Sequence, residues 1–302
     1  MANKRGLAED ELRDELVPDL GIAPGKPLVI DDAGERFELV LKAGLHLAIR
    51  TTDGERDELP KKATEARAKL SSLKAALKRQ AKEAGQRFER AMTGRRRWSA
   101  ERFQTGLLAR PVLASLAQAV VWGLYDAKGT LTQSFRIDES MGLAGVDDSA
   151  LPALKAGASV GVVHPIELGD DLARWTKLFL DYAIAQPFQQ LGRPVADVQG
   201  LDRDCKQLKG VQVTAGKLIG LRRRGWLRGP AGDNGSVETM VREALGTRGQ
   251  TCKAVLCFSP GFSIGVTDYD EKQILKALDA PVGELSPVAV SELALDLATL
   301  KA

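Results

Sequence analysis

Between Lys61 and Arg97 this chain carries 13 Lys/Arg against 3 Glu, a local charge of +10. Within the same stretch Ala66, Leu70, Leu73, Leu77, Ala81, Ala84, Phe88 and Ala91 recur at three- and four-residue spacing. A period of 3.6 with a narrow apolar stripe predicts one long amphipathic helix, one side against a core and a basic outer face. The whole chain carries only +3, so the remainder must carry −7, and the charge is segregated.

At 302 residues, 44% hydrophobic and 27% charged, the chain has the makeup of a globular protein with a sizeable core. Lys4 and Arg5 are not followed by the apolar run of a signal peptide, and no run approaches the roughly 18 residues that span a membrane. The expectation is a cytoplasmic protein with no membrane partner. Cys205, Cys252 and Cys257 are odd in number and form no C-x-x-C pair, which fits free thiols in a reducing compartment.

Along the chain, residues 7–20 read as a short acidic helix with Leu7, Leu12 and Leu16 on one side, ended by Pro18. Short strands are expected near 36–41 and 45–51, with a turn at Asp53-Gly54. After the basic helix, Gly94 breaks the period. Ser99 is a fair cap for a helix over 100–109, and Pro111 suits the start of another. Residues 120–126 and 130–137 form a hairpin through Ala127-Lys128-Gly129, and 138–152 read as a surface loop. A strand over 158–164 is ended by Pro165. The 169–182 helix places Leu168, Leu172, Trp175, Phe179 and Tyr182 on one face. A helix over 214–225 closes at Gly225, 252–259 and 262–267 read as a hairpin over Pro260-Gly261, and a terminal helix is capped by Ser286-Pro287. Strands and helices do not alternate as βαβ units, so the fold class is α+β. It is a mixed core of hairpins and helices with a long N-terminal basic amphipathic helix. Residues 1–98 form a hairpin-and-basic-helix subregion and 99–302 the main core, together one structural unit.

Several strings in this order are similar to one family: LAEDELRDELVPDLG at 7–21, RRRWSAERF at 95–103, RPVLASLAQAVVWGLYD at 110–126, SFRI at 134–137, VGVVHPIELG at 160–169, QPFQQLGRPV at 186–195 and GKLIGLRRRGWLRG at 216–229. The chain resembles the bacterial C-terminal domain of unknown function of molybdate-metabolism-regulator-like proteins, which often carry helical repeats and in some cases a WGR domain. The resemblance implies a cytoplasmic bacterial protein with a regulatory role and supplies no reaction. The repeats expected upstream are not in this chain, which reads as a stand-alone member or an excised domain. Trp122-Gly123 is not itself a WGR motif, because Leu124 stands where the arginine belongs, and it reads as a core hairpin.

Two readings of function stay open. In the first, the chain is a non-enzymatic regulatory or interaction module that contacts nucleic acid or an acidic protein surface. Lys74, Lys78, Arg79, Lys82, Arg95, Arg96 and Arg97 would neutralise phosphates or carboxylates, and Trp98 would stack on a base. In the second, it is an enzyme of unrecognised class. His164, at a strand end three residues before Glu167, is a candidate acid/base group with Glu167 orienting it. Gln186, Gln189 and Arg193 would hold an anionic or nucleotide-like ligand. Each has a plainer alternative: a histidine bonded to backbone, a loop satisfying its own backbone, a solvated helix face. No Walker A loop, G-x-G-x-x-G, H-E-x-x-H or G-x-S-x-G is present, and no cofactor is implied. With His46 and His164 alone, a histidine-rich metal site is excluded, and no metal site is assigned; Asp147-Asp148 and Asp170-Asp171 leave a carboxylate site formally open.

Overall fold

A computed structural model describes residues 9–301 apart from 24–25, 33, 53, 57, 234 and 264–267. Leu7, Asp53 and the 264–267 end of the expected hairpin lie outside the described residues. The fold is α+β, and the chain divides into two compact units, residues 1–192 and 193–302. The expected subregion boundary at 98/99 falls inside the first unit, in a strand paired with Ser159-Val160.

The first unit opens with α1 (Glu9–Glu15). The expected leucine face is not what faces inward: Leu16 is 70% exposed, while Asp14 and Val17 are buried. An acid turns inward here because arginines wait for it, as described below. An antiparallel meander follows, β1 (Leu28–Asp32), β2 (Glu35–Leu41), β3 (Leu47–Thr51) and β4 (Gly54–Arg56). Its register sets Ile30 opposite Phe37 and Leu39 opposite Ile49, and all four are buried.

Helix α2 (Thr64–Thr93) buries Ala66, Leu70, Leu73, Leu77, Ala84, Phe88 and Ala91. Ala63 at its start offers no side-chain cap, and the Asp32 carboxylate of β1 instead accepts from the Ala66 N–H at 2.8 Å. Gly85 in the helix interior has a steric reason. A Cβ there would lie 2.7 Å from the Pro187 carbonyl oxygen, so the 186–188 segment needs the missing side chain.

The second sheet has the order β5-β10-β6-β7-β8-β9. Its strands are β5 (Trp98–Ser99), β6 (Trp122–Tyr125), β7 (Leu131–Ile137), β8 (Leu143–Ala144), β9 (Ala150–Leu151) and β10 (Ser159–Val162). The expected 100–109 helix is a short α3 (Ala100–Arg102) that widens into a π-helical turn, Phe103–Leu108. α4 (Pro111–Ala117) follows. Trp122 is the centre of the core, edge-on to Phe88, Trp98 and Phe103 at 5.5, 5.6 and 4.8 Å, and its indole N–H donates to the Ala117 carbonyl. α5 (Pro165–Leu168) and α6 (Asp171–Asp181) complete the unit. Trp175 and Phe179 of α6 are buried, but Tyr182 points outward and bonds Asp148.

The second unit holds α7 (Val198–Leu208), β11 (Gln212–Thr214), α8 (Ala215–Gly220), β12 (Trp226–Arg228), β13 (Ser236–Leu245), β14 (Thr251–Ser263), β15 (Lys272–Asp279) and α9 (Pro287–Lys301). The sheet order is β11-β15-β14-β13-β12. The hairpin expected over Pro260-Gly261 is not formed. Residues 251–263 are one strand, and its pairing slips between Val237 and Thr239, so Pro260-Gly261 sit in a bulge rather than a turn. The buried Gln273 carboxamide pins this bulge by bonding both the N–H and the carbonyl of Gly261 at 2.8 and 3.0 Å.

Candidate functional site

His164 is in extended backbone before Pro165, which disfavours a helical residue there. It therefore becomes the cap of α5. Its Nδ1 accepts from the Ile166 N–H at 3.2 Å, and Glu167 Oε2 accepts from the His164 N–H at 3.0 Å. The two side chains thus cap the helix reciprocally. The His164 ring is fully buried. Glu167 also accepts from the Tyr125 hydroxyl at 3.0 Å, with Arg95 at 3.8 Å and Arg97 at 3.9 Å from its other oxygen. The Arg97 guanidinium lies 3.5 Å above the centre of the Tyr125 ring. A Cβ on Gly161 would strike that guanidinium, so the glycine makes room for it. Burial, and then the Glu167 charge, push the Tyr125 hydroxyl far above the ordinary phenol range. Chemically, this arrangement holds a carboxylate inside protein and stiffens a strand-to-helix corner.

The 186–193 string is used in the same manner. Gln186 Oε1 accepts from the N–H groups of Gln190 and Leu191 at 3.0 and 3.1 Å, and Gln189 donates to the Gly192 carbonyl at 2.6 Å. Gln190, a donor of the same string that is not in the predicted ligand-binding set, is fully buried. It bonds the Val121 N–H, the Val121 carbonyl and the Val163 carbonyl at 2.9, 2.8 and 2.8 Å, acting as a backbone partner at the Val121–Val163 end of the β6–β10 pairing. The cue for it was its place among three glutamines in an apolar string.

Arg193 begins the second unit and makes two bonds to Glu292, at 2.6 and 2.7 Å. Glu292 and Asp296 lie one turn apart on α9, both buried. Arg224 and Arg242 reach the Asp296 carboxylate, and the Trp226 indole N–H donates to it at 2.7 Å. Arg224 and Trp226 of the GKLIGLRRRGWLRG string are therefore spent on an internal ion network. His164 and Arg193 belong to different units, each with a structural partner of its own.

The cations predicted for partner binding divide into two groups. Arg95 donates to the Gly129 carbonyl, Arg96 to Asp14 at 3.1 Å, and Arg97 to the Arg96 carbonyl at 3.1 Å. Trp98 is buried against Trp122, with Arg96 stacked on it at 4.4 Å. Arg87 is buried on Asp14. By contrast Lys74, Lys78, Arg79 and Lys82 are exposed. No carboxylate lies within ion-pair distance of them among the described residues. Lys74, Lys78 and Lys82 fall at successive four-residue steps, one row along α2.

Beside this row lies a cleft of about 300 Å³. One wall is Gly44–Leu47, the other Lys74, Leu77, Lys78 and Ala81 of α2. Gly44 and Leu45 are both left-handed, at φ +68° and +65°, and for leucine this is a strained backbone. Buried Ser115 holds the turn: its hydroxyl accepts from the Leu45 N–H at 2.9 Å and donates to the Lys42 carbonyl. Neither Leu45 nor His46 stood out in the sequence, because the wall is a turn whose strain is visible only as dihedrals.

Among the described residues no cluster of three His, Cys, Asp or Glu side chains is arranged to hold a metal, and no helix is long and apolar enough to cross a membrane. A family model described as "Domain of unknown function (DUF4132)" matches residues 55–226. "Uncharacterized protein YehI" of Escherichia coli (strain K12) is 30% identical over 278 residues, covering 87% of this chain and 22% of that protein. The chain thus spans about a fifth of that curated relative's length. No solved structure matches.

Proposed function

This chain belongs to the DUF4132 family, and we propose that it is a non-enzymatic interaction module that contacts an acidic macromolecule through the outer face of α2. The observation that carries this reading is the row Lys74, Lys78, Lys82 with Arg79 beside it, exposed on a 30-residue helix and with no carboxylate within ion-pair distance among the described residues, although Glu83 follows Lys82 in sequence. The other predicted cations, Arg95–Arg97, are engaged inside the unit. Such a row attracts polyanions with a strength that falls steeply with salt. The regulatory role, the cytoplasmic setting and the molybdate-metabolism-regulator-like and WGR association rest on the sequence strings alone. The enzyme alternative, an anionic or nucleotide-like ligand held through His164 and Arg193, has less support, because both side chains serve the structure around them.

The test is binding of a labelled DNA duplex and of polyglutamate across a salt series, for the wild type and for Lys74→Glu/Lys78→Glu/Lys82→Glu. At least one polyanion binds the wild type, and the variant loses at least about tenfold in affinity with a shallower salt slope. No binding at low salt, or equal binding by the variant, overturns the proposal.

A further inference from the structure

The geometry points to the cleft between the Gly44–Leu47 turn and α2 as the docking site of an acidic peptide segment that inserts an apolar side chain. This rests on the reading of α2's outer face as the contact surface and names the partner it takes. The argument starts from the make-up of the cleft. Leu45, Leu47, Leu77 and Ala81 supply apolar wall, while Lys74 and Lys78 stand at its edge and Lys82 one turn further. A polyphosphate has nothing to place against leucine. A peptide carrying both carboxylates and an apolar residue matches wall and edge together.

Spacing adds to the match. Lys74, Lys78 and Lys82 are about 6 Å apart along the helix axis, since each residue rises about 1.5 Å. Carboxylates at i, i+4 on a partner helix, or on alternate residues of an extended strand, repeat at about the same distance. The cleft, at about 300 Å³, is at the small end of ligand pockets and has room for a side chain or two rather than a large cofactor. It is also pre-formed. Ser115 bonds the turn from both sides and holds Leu45 in its strained conformation, so little ordering is left to be done on binding. Against nucleic acid stands the burial of the aromatics at hand: Phe88 within the basic helix and Trp98 just beyond it are both in the core against Trp122 and offer no stacking face.

The test is fluorescence anisotropy on the full chain with three probes at one salt concentration: a labelled peptide of alternating Glu and Leu, a charge-matched peptide with Ser in place of Leu, and a DNA duplex. The leucine peptide binds at least about tenfold tighter than the serine peptide, the gain from burying one large apolar side chain. Ala81→Arg, which fills the cleft while adding a cation, weakens the leucine peptide at least about fivefold and leaves the serine peptide as tight or tighter. The comparison of the two peptides on the wild type needs no variant, so it stands even where Ala81→Arg misfolds. Equal affinity for the two peptides, an unchanged leucine-peptide affinity in folded Ala81→Arg, or a duplex that binds tighter than the leucine peptide overturns the inference and leaves the cationic-face reading intact. Failure of all three probes to bind overturns both.

Discussion

Asp14 accepts from Arg87 Nε at 3.0 Å, and both side chains are more than nine-tenths buried. The second oxygen of Asp14 receives Arg96 at 3.1 Å. One acid on a short helix thus removes two cations from the surface of the most basic part of the chain. Asp14→Ala leaves buried guanidinium without its counter-charge, and a broken buried pair costs about 3–5 kcal/mol. Denaturant unfolding is expected to give an unfolding free energy lowered by that amount, and a change below about 0.5 kcal/mol would mean that the pair carries no net stability.

Gln190 bonds the Val121 N–H and the Val163 carbonyl, and adds a second bond to the Val121 carbonyl, which also accepts from the Val163 N–H at 3.1 Å. Leucine keeps the volume but takes this partner from the Val121 N–H and the Val163 carbonyl in the interior, at about 1–3 kcal/mol for each, while the Val121 carbonyl keeps the Val163 N–H. Gln190→Leu is expected to lose at least about 2 kcal/mol, whereas Gln189→Ala at the exposed neighbouring position stays within about 0.5 kcal/mol. Equal thermal midpoints for the two variants would contradict the assignment.

Glu292 faces Arg193 directly, with Arg224 at 3.5 Å and Arg242 at 4.0 Å. Glu292→Ala leaves Arg224 and Arg242 with Asp296 and takes from Arg193 the carboxylate it bonds twice. The expected loss is about 3 kcal/mol. Hydrogen exchange localises it: amides of α9 and β12 exchange faster, and unchanged protection there would remove the network from the stability of the second unit.

Asp138 yields a pH prediction. Burial opposes its ionisation, but bonds from the Ser140 hydroxyl and from the Gly142 and Ser140 N–H groups outweigh burial and hold its pKa below the ordinary 3.8. A depressed folded value means that its contribution is complete above the ordinary value and is lost as pH falls through the folded one. The wild type is therefore expected to exceed Asp138→Asn in stability by a constant margin at neutral and mildly acidic pH. That margin closes below 3.8. A margin that widens on acidification would reverse the sign of the shift.

Particular elements show where local pattern is informative. The hairpin of β6 and β7 turns at Ala127-Lys128-Gly129 with Gly129 at φ +78°, and α9 starts at Ser286-Pro287, because turn and cap residues act on their immediate neighbours. β13 and β15 escaped for equally specific reasons. β13 buries Val237 and Met240, three apart across a bulge, which breaks the alternation of two. β15 buries polar Gln273 beside Leu275, so its inner face does not read as apolar. Asp14 inward on α1 and Leu16 outward just past its end likewise invert a simple apolar pattern, because the decisive partners lie on α2 and just beyond it.

The sequence by itself determined the α+β class, the segregation of positive charge into residues 61–97, and the stripe from Ala66 to Ala91 that faces the core. These follow from composition and short-range period, which a linear string records in full. Which cations remain available was decided only by tertiary structure. Arg87 and Lys82 look alike in the sequence, but Arg87 meets Asp14 from 73 residues away and Lys82 meets solvent. A charge is neutralised by what lies within a few ångströms of it, and that neighbourhood is made by long-range packing rather than by period.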